Sequence, residues 1–223
     1  MTKQNKIRKG CIDVFNSFLV AFATYAGFFE FPAINPCFET PNDLLPFSKC
    51  ISSKEHNKWI HFYEDDFLFE RIWRNPKKYL PILRQYNGVI LPDFSLYRDM
   101  PLVMQLWNIY RSRAIGTWLQ ANGIKVIPNV RFGDNRTYYC CCDGLSKHSV
   151  IAIGTHGTIK NIQDREIFIN GLNVVVKRLH PIAIVIYGTA PADIFSKYIE
   201  QGIKIIQFDS ELNKAFKEYK GVT

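Results

Sequence analysis

Two stretches decide the fold class: Val150-Ile151-Ala152-Ile153-Gly154-Thr155-His156-Gly157-Thr158, and its echo Ile182-Ala183-Ile184-Val185-Ile186-Tyr187-Gly188-Thr189. Each is a short apolar run that stops at a Gly-Thr turn, with helical spacing of apolar residues beyond it. A run without polar alternation reads as a strand buried on both faces, the condition of a parallel sheet covered by helices.

Working outward, similar runs occur at Ile60 to Tyr63, Gly88 to Leu91, Lys125 to Val130 and Ile203 to Phe208. Helical patterns lie between them. The clearest runs from Pro101 to Asn122, with Asp99 as its cap, Gly123 as its stop and a core stripe of Leu102, Leu106, Ile109 and Leu119. A second carries Phe168, Leu172, Val175, Val176 and Leu179 and ends at His180, before Pro181. Two shorter helices follow Pro191 and Glu211.

Alternating β and α units with few hairpin signals predict an α/β protein with a mostly parallel sheet and right-handed crossovers, doubly wound or barrel-like. Polar residues after nearly every strand favour a compact or incomplete TIM-barrel-like arrangement, whose loops converge on one mouth. The 223 residues are read as a single α/β domain: an N-terminal helix and Pro-rich connector over 1–50 and a β/α core over 51–223.

In the first part, Lys3, Lys6, Arg8 and Lys9 precede an apolar stretch that Asp13, Asn16 and Ser17 interrupt early. That argues against a signal peptide or a membrane span. Phe15, Phe18, Leu19, Phe22 and Ala26 instead suggest an amphipathic helix. Pro32, Pro36, Pro41 and Pro46 mark an irregular connector.

A hydrophobic fraction of 47% excludes a disordered or fibrous class, and a net charge of +8 favours anionic partners, nucleic acid or a nucleotide, without requiring them. Cys11, Cys37, Cys50 and the run Cys140 to Cys142 lack disulfide and zinc spacing, and adjacent cysteines on a strand would face opposite ways. They read as reduced thiols of a cytoplasmic protein. No metal site is expected beyond a scattered Cys140, Cys142 and His148, and the sequence leaves the cofactor unknown.

The residues that can carry chemistry stand at strand ends. Asp93 follows the second strand, and Asp65 and Asp66 follow the first; paired carboxylates there can supply a general acid and base, while the same groups can equally cap helices. Asn129 and Arg131 share one side by period-two alternation, where the Arg can hold a substrate anion or pair with Asp93 or Asp134. Gly154 with Thr155, and Gly188 with Thr189, suit phosphate binding through glycine-exposed amides, although plain turns look the same. His156 is an acid-base candidate, and His61 reads as core. Arg71, Arg74, Lys77 and Lys78 with Trp73 and Tyr79, and Arg111 and Arg113 with Trp107, can track a phosphate backbone or form solvated helix faces.

Asn108-Ile109-Tyr110-Arg111-Ser112-Arg113-Ala114-Ile115-Gly116, Leu119-Gln120, Gly123 to Arg131, Asp143-Gly144-Leu145 and Ala152 to Thr155, with Pro41-x-x-Leu44-Leu45-Pro46-Phe47 upstream, resemble a domain-of-unknown-function family of bacterial phages, plasmids and other mobile elements. Phe132 stands where its relatives are expected to carry Trp. The resemblance covers most of the chain and implies a nucleic-acid context without a reaction. Three readings follow: a hydrolase that cleaves a glycosidic or phosphoester bond of a nucleotide or nucleic acid, a non-catalytic nucleic-acid-binding accessory protein, and a host-directed interaction protein on an enzyme-derived scaffold, which needs only an exposed patch. Convergence of Asp66, Asp93 and Arg131 in one pocket favours the first, and a continuous basic face the second.

Overall fold

The computed structural model describes residues 12–219, so Lys3, Lys6, Arg8, Lys9 and Cys11 lie outside the described residues. The amphipathic N-terminal helix is not formed. Ser17–Val20 makes a single 3-10 turn, Leu19 alone is buried, and Phe15 and Phe22 are exposed. Asp13 supplies the reason: its carboxylate accepts from Phe15 N, Phe18 N and Ser17 Oγ, and these local bonds compete with helical ones. A short antiparallel pair follows, β1 (Tyr25–Ala26) and β2 (Phe31–Pro32).

The Pro-rich connector contains a strand that sequence patterning missed. β3 (Leu44–Pro46) pairs in parallel with β4 (Trp59–His61), and a proline is tolerated because β3 lies at the end of its ladder. The chain continues through α1 (Asp66–Arg74), α2 (Pro76–Leu83), β5 (Gly88–Ile90), α3 (Leu102–Ala121), β6 (Val126–Ile127), the short α4 (Asn135–Tyr138), β7 (Val150–Gly154), α5 (Ile162–Leu179), β8 (Ala183–Tyr187), α6 (Ala192–Glu200), β9 (Lys204–Phe208) and α7 (Glu211–Tyr219). All six expected strands are present: β5, β6, β8 and β9 are shorter than their apolar runs, β4 starts one residue earlier and ends two earlier, and β7 extends one residue further, to Gly154. α5 stops at His180, which adopts the left-handed conformation before Pro181. α3 has no side-chain cap, so Asp99 does not play the role its position suggested.

β3 to β6 form one parallel ladder in chain order, and β7 to β9 another. A parallel bridge between Asn129 and Ala152, just past β6, joins them. No ladder joins β9 to β3 among the described residues, so the arrangement is compatible with an incomplete barrel and is not closed.

Residue parity explains the core. Leu44, Trp59, Ile90, Ile127, Val150, Ala152, Ala183, Val185 and Tyr187 face one another in an inner cluster. Their neighbours point outward: Leu45, Ile60, Val89, Leu91 and Val126 meet α1 to α3, and Ile151, Ile153, Ile184 and Ile186 meet α5 and α6. Both sheet faces are therefore buried, which is why the strands read as continuous apolar runs. No described helix is long and apolar enough to cross a membrane.

Candidate functional site

The exits of β4 to β9 open into a cleft of about 1010 Å3. Asp93 lies in it, three residues past the end of β5, with its side chain 11% exposed. Its Oδ1 accepts from Asn129 Nδ2 at 2.7 Å and its Oδ2 from Arg131 Nη1 at 2.9 Å. Asn129 and Arg131 reach it because they continue the inward parity of Ile127 past the end of β6. Burial raises the Asp93 pKa; Arg131 and the Asn129 amide oppose that rise, and Asp66 adds to it. The ion pair only partly offsets desolvation, so Asp93 holds its proton more tightly than an ordinary carboxyl.

Beneath the carboxylate is an aromatic floor. Tyr63 and Tyr187 stack at 4.8 Å and 10°, with His61 4.6 Å from Tyr187. The Tyr63 hydroxyl donates to Asn129 Oδ1, and Tyr63 N donates to His61 Nδ1. Burial pushes the His61 pKa down to about 3 and the Tyr63 hydroxyl well above its usual value. Sequence reading placed His61 in the core and overlooked Tyr63 and Tyr187; both end predicted strands with inward parity, the signal that marks them.

α3 fastens the strand exits from behind through three consecutive residues. Arg111 Nη1 meets both Glu70 carboxylate oxygens at 2.8 and 2.9 Å, with its guanidinium 3.9 Å from the Phe94 ring. Ser112 Oγ donates to Pro92 O, the carbonyl before Asp93. Arg113 donates to Asn129 O and Cys141 O. Arg111 and Arg113 are buried inside the protein rather than displayed on a helix face. Arg71 is half-buried against Phe47 and Tyr79, and of the expected basic patch Arg74, Lys77 and Lys78 remain exposed.

The other expected residues divide. Asp66 does not line the cleft; its carboxylate accepts from Ser95 N and Ser95 Oγ and holds the loop after Asp93. Gly154 and His156 line the cleft, and His156 is exposed. Thr155 N donates to Tyr187 O, Thr155 Oγ1 to Thr189 O and Gly188 N to Phe208 O. Those amides and that hydroxyl belong to the sheet and its turns, which leaves the Gly188-Thr189 turn outside the cleft lining. Cys140 to Cys142 lie in turns rather than on a strand, and Cys141 Sγ approaches Cys142 Sγ at 3.8 Å. The described cysteines are buried free thiols, and no group of three metal-ligating side chains assembles among the described residues.

The cleft lining also carries Glu64, Asp65, Asp99, Asp164 and Glu211, against Arg98 and Arg131. Despite the basic chain, the mouth is acidic.

Fold and site define a parallel β/α protein with a buried, arginine-paired carboxyl in a cleft at the C-terminal strand ends. Residues 23–209 match the family described as Domain of unknown function (DUF4417), and the chain belongs to it. It is similar to "Gene 1 protein" of Mycobacterium phage L5, 38% identical over 129 residues that cover 58% of this chain and 56% of that protein. It is also similar to "Gene 1 protein" of Mycobacterium phage D29, 31% identical over 167 residues, covering 72% and 60%. The chain thus spans less than two thirds of the length of these relatives. No solved structure matches it significantly.

Proposed function

We propose that the protein is a hydrolase of a nucleotide-sized substrate, cleaving a glycosidic or phosphoester bond in this cleft. The observation that carries this reading is Asp93: a carboxyl on a cleft floor whose affinity for a proton is raised by burial while two donors fix its orientation. In its protonated form it delivers a proton to the leaving group, and as a carboxylate it stabilises positive charge developing on a sugar ring. Arg131 anchors a phosphate, and Tyr97, 59% exposed at the rim, offers a ring for a base to stack upon. His156, the histidine of the cleft lining, serves as the second acid-base group, and Asp66 supports Asp93 through Ser95.

The size of the cleft suits a small molecule, and its surplus of carboxylates repels a long polyanion while one phosphate can still be held at Arg131. Product analysis on nucleosides, nucleotides, DNA and RNA, with and without magnesium, tests the reading. Turnover by the wild type that disappears in Asp93→Asn, with substrate still bound, supports it; binding without product in every mixture sinks it.

The second reading, a nucleic-acid-binding accessory protein, draws on the exposed Arg74, Lys77 and Lys78. Salt-dependent binding that weakens when these three are replaced by alanine, and that is indifferent to Asp93→Asn, favours it.

A further inference from the structure

Arg113 is 2% exposed, and its guanidinium meets only backbone carbonyls, Asn129 O at 3.1 Å and Cys141 O at 2.8 Å. The other inward arginines have carboxylate partners: Arg111 has Glu70 and Arg131 has Asp93. Arg113 has none within ion-pair distance among the described residues, and its buried Nε has no hydrogen-bond partner in the protein. A buried charge without a counter-ion is among the costliest arrangements a core can hold.

Beside it lies a cavity of about 10 Å3, room for one water-sized body. Asn108, Ser112, Arg113, Asn129 and Arg131 supply its polar wall, with Phe94 among its apolar neighbours. The acceptors there are largely engaged: Asn108 Oδ1 accepts a hydrogen bond from Arg111 Nη2, and Asn129 Oδ1 accepts one from the Tyr63 hydroxyl. What remains is donors, the Arg113 Nε–H and the second amide hydrogens of Asn108 and Asn129. Two arginines line the cavity, Arg131 already paired with Asp93 and Arg113 without a carboxylate, and that unpaired charge with its unused donors calls for a negatively charged acceptor.

We propose that this cavity binds a single halide-sized inorganic anion, chloride in the first instance, as the counter-ion of Arg113. Water would satisfy the donors and leave the charge uncompensated, whereas a phosphate or sulfate exceeds the space. The site is distinct from the cleft but adjoins it through Leu96 and Arg131, so the anion also bears on the arginine that holds Asp93. The inference does not depend on the hydrolase reading.

The test is thermal unfolding of the wild type at constant ionic strength, with sodium chloride or bromide replacing sodium gluconate, together with a bromide-soaked crystal measured at the bromine edge. At saturating halide the midpoint should rise by about 5 °C, and an anomalous peak should stand between Arg113 and Arg131. Arg113→Met should abolish the halide response. If that variant does not fold, the bromine position in the wild type decides. Equal midpoints in halide and gluconate, with no anomalous signal in the cavity, would overturn the proposal.

Discussion

The Tyr63 hydroxyl donates to Asn129 Oδ1 at 3.0 Å, and this bond sets which end of the Asn129 amide faces Asp93. With its oxygen engaged by Tyr63, the amide presents Nδ2 to the carboxylate. Tyr63→Phe leaves the Asn129 oxygen without that donor and frees the amide to turn. The expected loss is about 1–2 kcal/mol in a urea titration, with a larger effect on turnover than on substrate binding if Asp93 is the acid. An unchanged stability would show that the bond contributes nothing net.

Asp93 should leave a mark on the pH dependence of stability. Its folded pKa lies above its unfolded value, so the native state binds the proton more tightly and the carboxyl favours folding at acid pH. That contribution is lost as pH rises from the ordinary value of 3.8 through the raised folded value. Unfolding free energies of the wild type relative to Asp93→Asn should therefore decline with rising pH across this window. A relative gain with rising pH would mean that Arg131 outweighs burial.

His61 acts in the opposite sense. Its pKa falls from 6.5 unfolded to about 3 folded, so the unfolded chain takes up a proton that the native state refuses. Stability is complete above the unfolded value and is lost as pH falls from about 6.5 toward about 3, by an amount on the order of a few kcal/mol. His61→Gln should flatten that slope, as read from urea midpoints on acidification.

Gly154→Ala tests how tightly the cleft floor is built. A Cβ there would lie 3.1 Å from two Tyr63 ring carbons and 3.8 Å from Asp93 Oδ2. Tyr63 has little freedom to give way because it is stacked flat on Tyr187. Overpacking of this kind costs about 1–3 kcal/mol; calorimetry would register it as a lower unfolding midpoint, and an unchanged midpoint would show that the floor is loose.

Glu70→Ala separates internal arginines from surface ones. It strips Arg111 of its carboxylate while the guanidinium stays buried, and the partial exposure of Glu70 places the cost near about 3 kcal/mol, the lower end for a broken buried pair. Replacing exposed Arg74 or Lys77 by alanine should change stability by less than about 0.5 kcal/mol. Equal effects from all three would contradict the buried placement of Arg111.

What the sequence by itself determined was local and periodic. Apolar runs closed by Gly-Thr marked β7 and β8, alternation put Asn129 and Arg131 on one side, and the strand ends located the mouth that holds Asp93. These features depend on backbone geometry within a few residues, so they survive without knowledge of the rest of the chain.

Tertiary structure alone decided which charges meet. Asp66 and Asp93 both follow strands, yet one grips Ser95 and the other enters the cleft, because that depends on where α1 lies against the β5 exit. Arg111 and Arg113 read as a basic helix face until Glu70, Phe94 and the Asn129 carbonyl are packed over them. The Phe15 to Ala26 spacing promised a helix, and Asp13 dissolved it with bonds that apolar periodicity does not register. A charge or a ring is buried by partners distant in sequence, and no local pattern encodes their arrival.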